Sequence, residues 1–146
     1  MENFKFKLQK ILDIKTNNEE ESKIKYSKAQ SEKREVEEEL KNLKLNYKRY
    51  SDEMNIEDIV ARKITSNYLN SLSNVINIKS NELLKKEALV NEARLDLLNK
   101  QIERKSLEKL KDNKYVLYKK KEEQKEQSIN DEFGMYSFLR KKSEGI

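Results

Sequence analysis

The stretch "VEEELKNLKLNYKRYSDEM", residues 36–54, decides the fold. Val36, Leu40, Leu43, Tyr47, Tyr50 and Met54 follow one another at intervals of 4, 3, 4, 3 and 4 residues. That alternation is the seam of a coiled coil: a narrow apolar edge that returns every three and a half residues along a helix. Between the seam residues lie charged and amide side chains, which solvate the rest of the helix surface. A helix with one narrow apolar edge needs a second helix to bury it.

The same logic extends in both directions. Phe4, Leu8, Ile11 and Leu12 form a comparable stripe near the start of the chain. Leu69, Ile76, Leu83, Val90 and Leu97 recur every seven residues further on. Between the stripes lies "SDEMNIEDIVARK", residues 51–63. Here Asn55 suits a helix N-cap, and Glu57 and Asp58 then fall in the first turn, where the helix dipole favours carboxylates. Ile56 and Ile59 restart the apolar pattern. The reading is all-α: an antiparallel two-helix coiled-coil hairpin, with helix 1 over about 3–52 and helix 2 over about 57–140. The chain is one domain, 1–146, with its corner at about 51–56. One unbroken helix remains the alternative, since no glycine or proline enforces a stop. The hairpin pairs residues whose numbers sum to about 109, so helix 1 covers helix 2 to about residue 106. Beyond that helix 2 runs on as an overhang of ~50 Å.

Composition supports long helices over the other classes. The chain has 146 residues, of which 40% are charged and 35% hydrophobic, with a mean hydropathy of −1.06. That is too little apolar material for a wide globular core. Disordered chains are rich in proline and poor in aliphatics; this chain has no proline and many Leu, Ile and Tyr residues. Lys+Arg number 32 against 27 Asp+Glu, a net charge of +5. The two signs interleave, whereas a nucleic-acid binder gathers its positive charge on one face. The expected partners therefore include no nucleic acid.

Catalytic chemistry has little to stand on. There is no cysteine and no histidine, and the two glycines lie far apart. Zinc sites, thiolate chemistry and Gly-rich phosphate loops are therefore not expected. The many carboxylates alternate with lysines on solvated helix faces, unlike an acid–base pair with separated pKa values. The expectation is a non-enzyme with no cofactor and no metal. No apolar run approaches 18 residues, so no direct membrane insertion is expected. "MENFKFKLQK" lacks the apolar core of a secretory signal, which makes the cytoplasm the default compartment.

Three features ask for a partner. Leu43, Tyr47 and Tyr50 before the corner, with Tyr68, Leu72 and Val75 after it, exceed what a two-stranded seam consumes. Tyrosine also suits interfaces, having an apolar body and a polar end. Second, residues 13–35 carry few apolar side chains, yet the expected register sets them against 74–96, which holds Leu83, Leu84, Leu89, Val90 and Leu95 among others. Lysine and arginine stems, or another protein, would cover that excess. Third, the C-terminal "INDEFGMYSFLRKK", 129–142, sets Ile129, Phe133 and Tyr136 at i, i+4 and i+7, with Phe138 and Leu139 close behind. Gly134 in its midst is either a helix C-cap or a glycine the helix runs through.

The order and spacing of "FKFKLQKILDIK", "EEELKNLKLNYKRY", "NYLNSLSNVI", "LEKLKDNKYVLYKKKEEQKEQ" and "NDEFGMYSF" resemble the FliJ family over nearly the whole chain. These are coiled-coil proteins of the bacterial flagellar type III export apparatus. The resemblance implies a hairpin similar to the central stalk of rotary ATPases. It implies binding to the export ATPase FliI with promotion of its ring assembly, contact with the export-gate protein FlhA, and an escort role for export chaperones. It also implies a cytoplasmic protein held peripherally at the inner face of the membrane at the flagellar base, serving motility and chemotaxis. The matching gate-binding positions are Glu39, Leu43, Tyr50, Tyr68, Leu72, Val75 and Lys79. The stalk analogy sends the termini into the ATPase ring: Phe4, Phe6, Leu8 and Ile11, with Ile129, Phe133, Tyr136 and Leu139. A chaperone adaptor or a generic coiled-coil scaffold remains the alternative.

Overall fold

The computed structural model of the chain describes residues 3–54 and 57–145. Two helices, α1 (Gln9–Asp52) and α2 (Ile59–Glu144), pack against each other as an antiparallel hairpin. Among the described residues there is no strand.

The seam read from residues 36–54 continues unbroken toward the start of α1. Leu12, Lys15, Glu19, Ser22, Tyr26, Ala29, Lys33, Val36, Leu40 and Leu43 keep the heptad spacing, and all are buried or half-buried. On α2 the facing set is Leu69, Leu72, Ile76, Lys79, Leu83, Lys86, Val90, Ala93 and Leu97. The seam is thus apolar toward its ends and polar in its middle, where Glu19 and Ser22 are buried. Val36, Leu40, Leu69 and Leu72 form the apolar core near the corner. Each such side chain contributes about 1.5–3 kcal/mol on leaving water.

The register differs from the sequence expectation. Lys15 Nζ donates to Glu103 Oε2 at 3.1 Å, Ser22 Oγ to Asp96 Oδ2 at 2.9 Å, and Lys86 Nζ to Glu32 Oε2 at 3.3 Å. Lys79 Nζ donates to Glu39, and the Tyr50 and Tyr68 rings touch. Each of these five pairs sums to 118, nine residues away from the expected 109. The cause is an asymmetric corner. α1 ends opposite the second turn of α2, so the first residues of α2 extend past their partner, and Ile59, Val60 and Ile64 stay exposed.

The start of α2 differs too. Asp58, expected inside the first turn, is the N-cap: its Oδ1 accepts the Val60 N–H at 3.1 Å, and its carbonyl accepts the Arg62 N–H at 2.9 Å. An aspartate there satisfies a free N–H and meets the positive end of the helix dipole. Asn55 and Ile56, expected as cap and first apolar residue, lie outside the described residues.

The chain divides into two compact units. Unit 2 is Asn17–Gln101 and contains the corner. Unit 1 joins Met1–Thr16 to Ile102–Ile146. In unit 1, residues 3–6 are not helical, although helix 1 was expected from residue 3. They form an extended arm in which Phe4, Phe6 and Leu8 are half-buried and Lys5 and Lys7 exposed. The Phe4 ring meets Tyr115 at 5.4 Å and Tyr118 at 5.5 Å. In the register that sums to 118, residue 3 falls level with residue 115, so the shift in register carries the arm's cover of α2 to Tyr115 and Tyr118 rather than to residue 106.

Helix α2 passes through Gly134 and ends at Glu144, beyond the expected 140. Among the described residues no glycine has positive φ, so Gly134 is not a left-handed cap. The glycine costs the helix about 1 kcal/mol, and the strong helix formers around it outweigh that.

Candidate partner-binding surfaces

In unit 2 the register gathers the gate-type residues on facing stretches of the two helices. Glu39 pairs with Lys79, Leu43 is level with Val75 rather than with residue 66, and Tyr50 meets Tyr68. The tyrosine rings stand edge to face, with centroids 5.0 Å apart and an interplanar angle of 70°. Tyr50, Tyr68 and Val75 are 38%, 45% and 40% exposed, so each keeps a free face despite its packing. Leu72 differs: at 8% exposure it belongs to the core. It holds the surface from beneath and offers no side chain to a partner.

Lys79 forms a two-carboxylate node with Glu39 on α1 and Glu82 on its own helix, the latter at 3.2 Å. The hydrogen bond to Glu39, then that to Glu82, raises its pKa above the ordinary 10.5. The ammonium therefore stays charged across the physiological range and ties the two helices beside the tyrosines.

Sequence reasoning missed part of this face. Val60, Ile64 and Ile78 are exposed at 66%, 65% and 66%. Val60, Ile64 and Tyr68 are spaced by four, and Ile78 follows Val75 by three, so all lie on one side of α2. Helical steps of three and four taken in both directions from Tyr68–Val75 would have found them.

In unit 1 the eight ATPase-type residues fall into two groups that the fold does not merge. Phe4, Phe6 and Leu8 line a cleft of about 580 Å³ with Leu110, Lys114, Leu117, Tyr118 and Lys121. Ile11 is exposed on the first turns of α1. Ile129, Phe133, Tyr136 and Leu139 are exposed, roughly 16 Å and more beyond Tyr118 along the helix. Every described residue from 123 onward is exposed. Phe133 and Tyr136, at 70% and 72% exposure, are the most open aromatic side chains of that segment.

The apolar excess in the middle of α2 is also real. Leu84, Leu89 and Leu95 are 63%, 48% and 53% exposed. Lysine stems do not close over them. Leu89 and Leu95 border a shallow groove of about 740 Å³ with Ala29 and Ala93, where two small seam residues leave the helices thinly covered.

Among the described residues no group of His, Cys, Asp or Glu is arranged to hold a metal, and no helix is long and apolar enough to cross a membrane. A hairpin of two long helices joined along one heptad seam belongs to the class of two-helix coiled-coil proteins. The particular family follows from comparison. A profile described as "Flagellar FliJ protein" matches residues 4–143, and the chain belongs to that family. It is therefore a component of the flagellar export apparatus, in a family without catalytic activity. No curated protein and no solved structure matches the chain.

Proposed function

We propose that this protein is the stalk-like partner of the flagellar export ATPase: it binds FliI, promotes assembly and activity of the ring, and couples the ring to the export gate. One observation carries the reading. The unburied aromatics fall in two separate compact units, Tyr50 and Tyr68 in unit 2 and Phe133 and Tyr136 in unit 1. A chain that engages two partners needs two such surfaces. The terminal segments would enter the ATPase, and the Tyr50–Tyr68 face would meet FlhA. Attachment to the inner face of the membrane would then come through these partners rather than by insertion. The family resemblance also carries an escort role for export chaperones.

The test is the ATPase rate of the cognate FliI hexamer with and without this protein. Stimulation that is lost on Phe133→Ala with Tyr136→Ala supports the reading. An unchanged rate together with no co-purification refutes it.

A further inference from the structure

Helix α2 carries a second heptad stripe on another side from its seam. Leu84, Ala88, Asn91, Leu95 and Leu98 follow at 4, 3, 4 and 3 residues, and all five are exposed. At 100° per residue this stripe lies roughly 120° round the helix from the seam residues Leu83, Val90 and Leu97. Among the described residues α1 covers the seam and none covers the stripe. Its flanking positions carry Lys85 and Glu92 on one side, Glu87 and Arg94 on the other. Among the described residues none of these four takes part in an ion pair, whereas the seam lysines Lys79 and Lys86 both do.

We propose that two copies of this chain pair through this stripe, α2 against α2, antiparallel about a two-fold axis between Leu89 and Val90. In that register Leu84 lies against the partner's Leu95, and Ala88 against the partner's Asn91. The flanks then complement one another: Glu87 meets the partner's Arg94, and Lys85 meets the partner's Glu92. Symmetry repeats each pair, giving four opposite-charge contacts around four layers.

The alternatives place like charges together. A parallel pair puts Glu87 beside the partner's Glu92. An antiparallel pair one heptad further along puts Arg94 beside the partner's Arg94, and Glu92 beside the partner's Glu92. The charge pattern therefore selects one partner and one register, since like charges facing each other disfavour a pairing as much as opposite charges favour it. The contact spans only about three turns, so the association is weak, with a midpoint on the order of micromolar to tens of micromolar.

Sedimentation velocity on the full chain, from about 1 to 500 µM, tests this. The native protein is expected to rise from one chain mass toward two. Arg94→Glu should raise the midpoint about tenfold or more, and Leu95→Glu should abolish association. Combining Glu87→Arg with Arg94→Glu exchanges the charges across the interface and should restore it. Far-UV helicity, measured in parallel, identifies any variant that has lost its fold. A chain that stays monomeric to the top concentration overturns the proposal, as does association indifferent to Arg94→Glu or unrescued by the double exchange. Capture of an export chaperone through the same leucines by a strictly monomeric chain also overturns it.

Discussion

The Tyr50 and Tyr68 rings meet edge to face across the two helices, centroids 5.0 Å apart, with Tyr68 one helical turn from the buried Leu72. The pair separates two roles that sequence spacing had merged. Tyr68 is 45% exposed and Leu72 is 8% exposed. Tyr68→Ala should therefore lower affinity for the gate protein by about 1–3 kcal/mol while leaving most of the thermal stability in place. Leu72→Ala should cost about 2–4 kcal/mol of stability by leaving a void in the seam. Titration calorimetry against FlhA and thermal melts of both variants separate the two. A gate-binding loss from Leu72→Ala at full stability would contradict the assignment.

The staple beside these rings has a defined pH behaviour. Lys79 has its pKa raised above 10.5, first by the hydrogen bond to Glu39 and then by that to Glu82. A lysine raised on folding lends stability that is fully present below its unfolded value and is lost as pH rises through the folded value. The contribution should thus be constant through neutral pH and fade only above 10.5. Lys79→Met removes it, so the native protein and the variant should differ in melting temperature near neutral pH and converge at strongly alkaline pH. A difference that widens as the lysine deprotonates would contradict this.

The polar middle of the seam should resist an apolar substitution. Glu19 is 3% exposed at a seam position, with Lys23 reaching it from one turn away at 3.6 Å. Removing one member of a buried ion pair leaves its partner's charge uncompensated and is destabilising. Glu19→Leu alone is therefore expected to lower the melting temperature by several degrees, corresponding to about 1–2 kcal/mol. The loss should also appear as faster hydrogen exchange across residues 12–26. A melting temperature that rises in Glu19→Leu would contradict this.

These substitutions follow the line between what was legible in the sequence and what was not. The apolar heptads at 36–54 and 69–97 announced the hairpin, because Leu and Val recurring at that period mark one helix edge that must be buried. The run from Lys15 to Lys33 kept the same spacing but carried Lys, Glu and Ser, so hydropathy alone hid it. Register was misjudged because it depends on how the corner is built, and Asp58 caps α2 three residues beyond Asn55. The arm carries its own signal at a different period. Phe4, Phe6 and Leu8 alternate with Lys5 and Lys7, which is the period of an extended chain rather than a helix. Of the exposed surfaces, the aromatic clusters were visible from spacing. The exposure of Tyr68 against the burial of Leu72 was not, since it turns on the register.

The arm supplies a prediction of its own. Phe4 holds residues 3–6 to α2 through Tyr115 and Tyr118, without helical hydrogen bonds of its own. Phe4→Ala should release the arm, expose the cleft beside Leu110 and Leu117, and speed proteolysis near Lys5 and Lys7, while helicity measured by far-UV circular dichroism stays within a few percent. Trypsin cleavage followed by mass spectrometry reads the change. An unchanged cleavage rate at Lys5 and Lys7 would show that the arm is held by other contacts.

Gly134 offers the last test, because the helix tolerates it without needing it. Its φ is not positive, and a Cβ built there meets nothing within 4 Å. Gly134→Ala should therefore stabilise the C-terminal turns of α2 by about 1 kcal/mol, seen as slower hydrogen exchange over residues 130–140. The residue lies roughly 140° round the helix from the Ile129–Phe133–Tyr136 face, so the added methyl points away from that face. If those three side chains dock into the ATPase, as proposed, the variant should stimulate FliI at least as well as the native protein, and at a lower concentration if the segment must be helical to bind. Loss of stimulation with the helix strengthened would place the glycine itself against the partner and shift the docking face to the opposite side of α2.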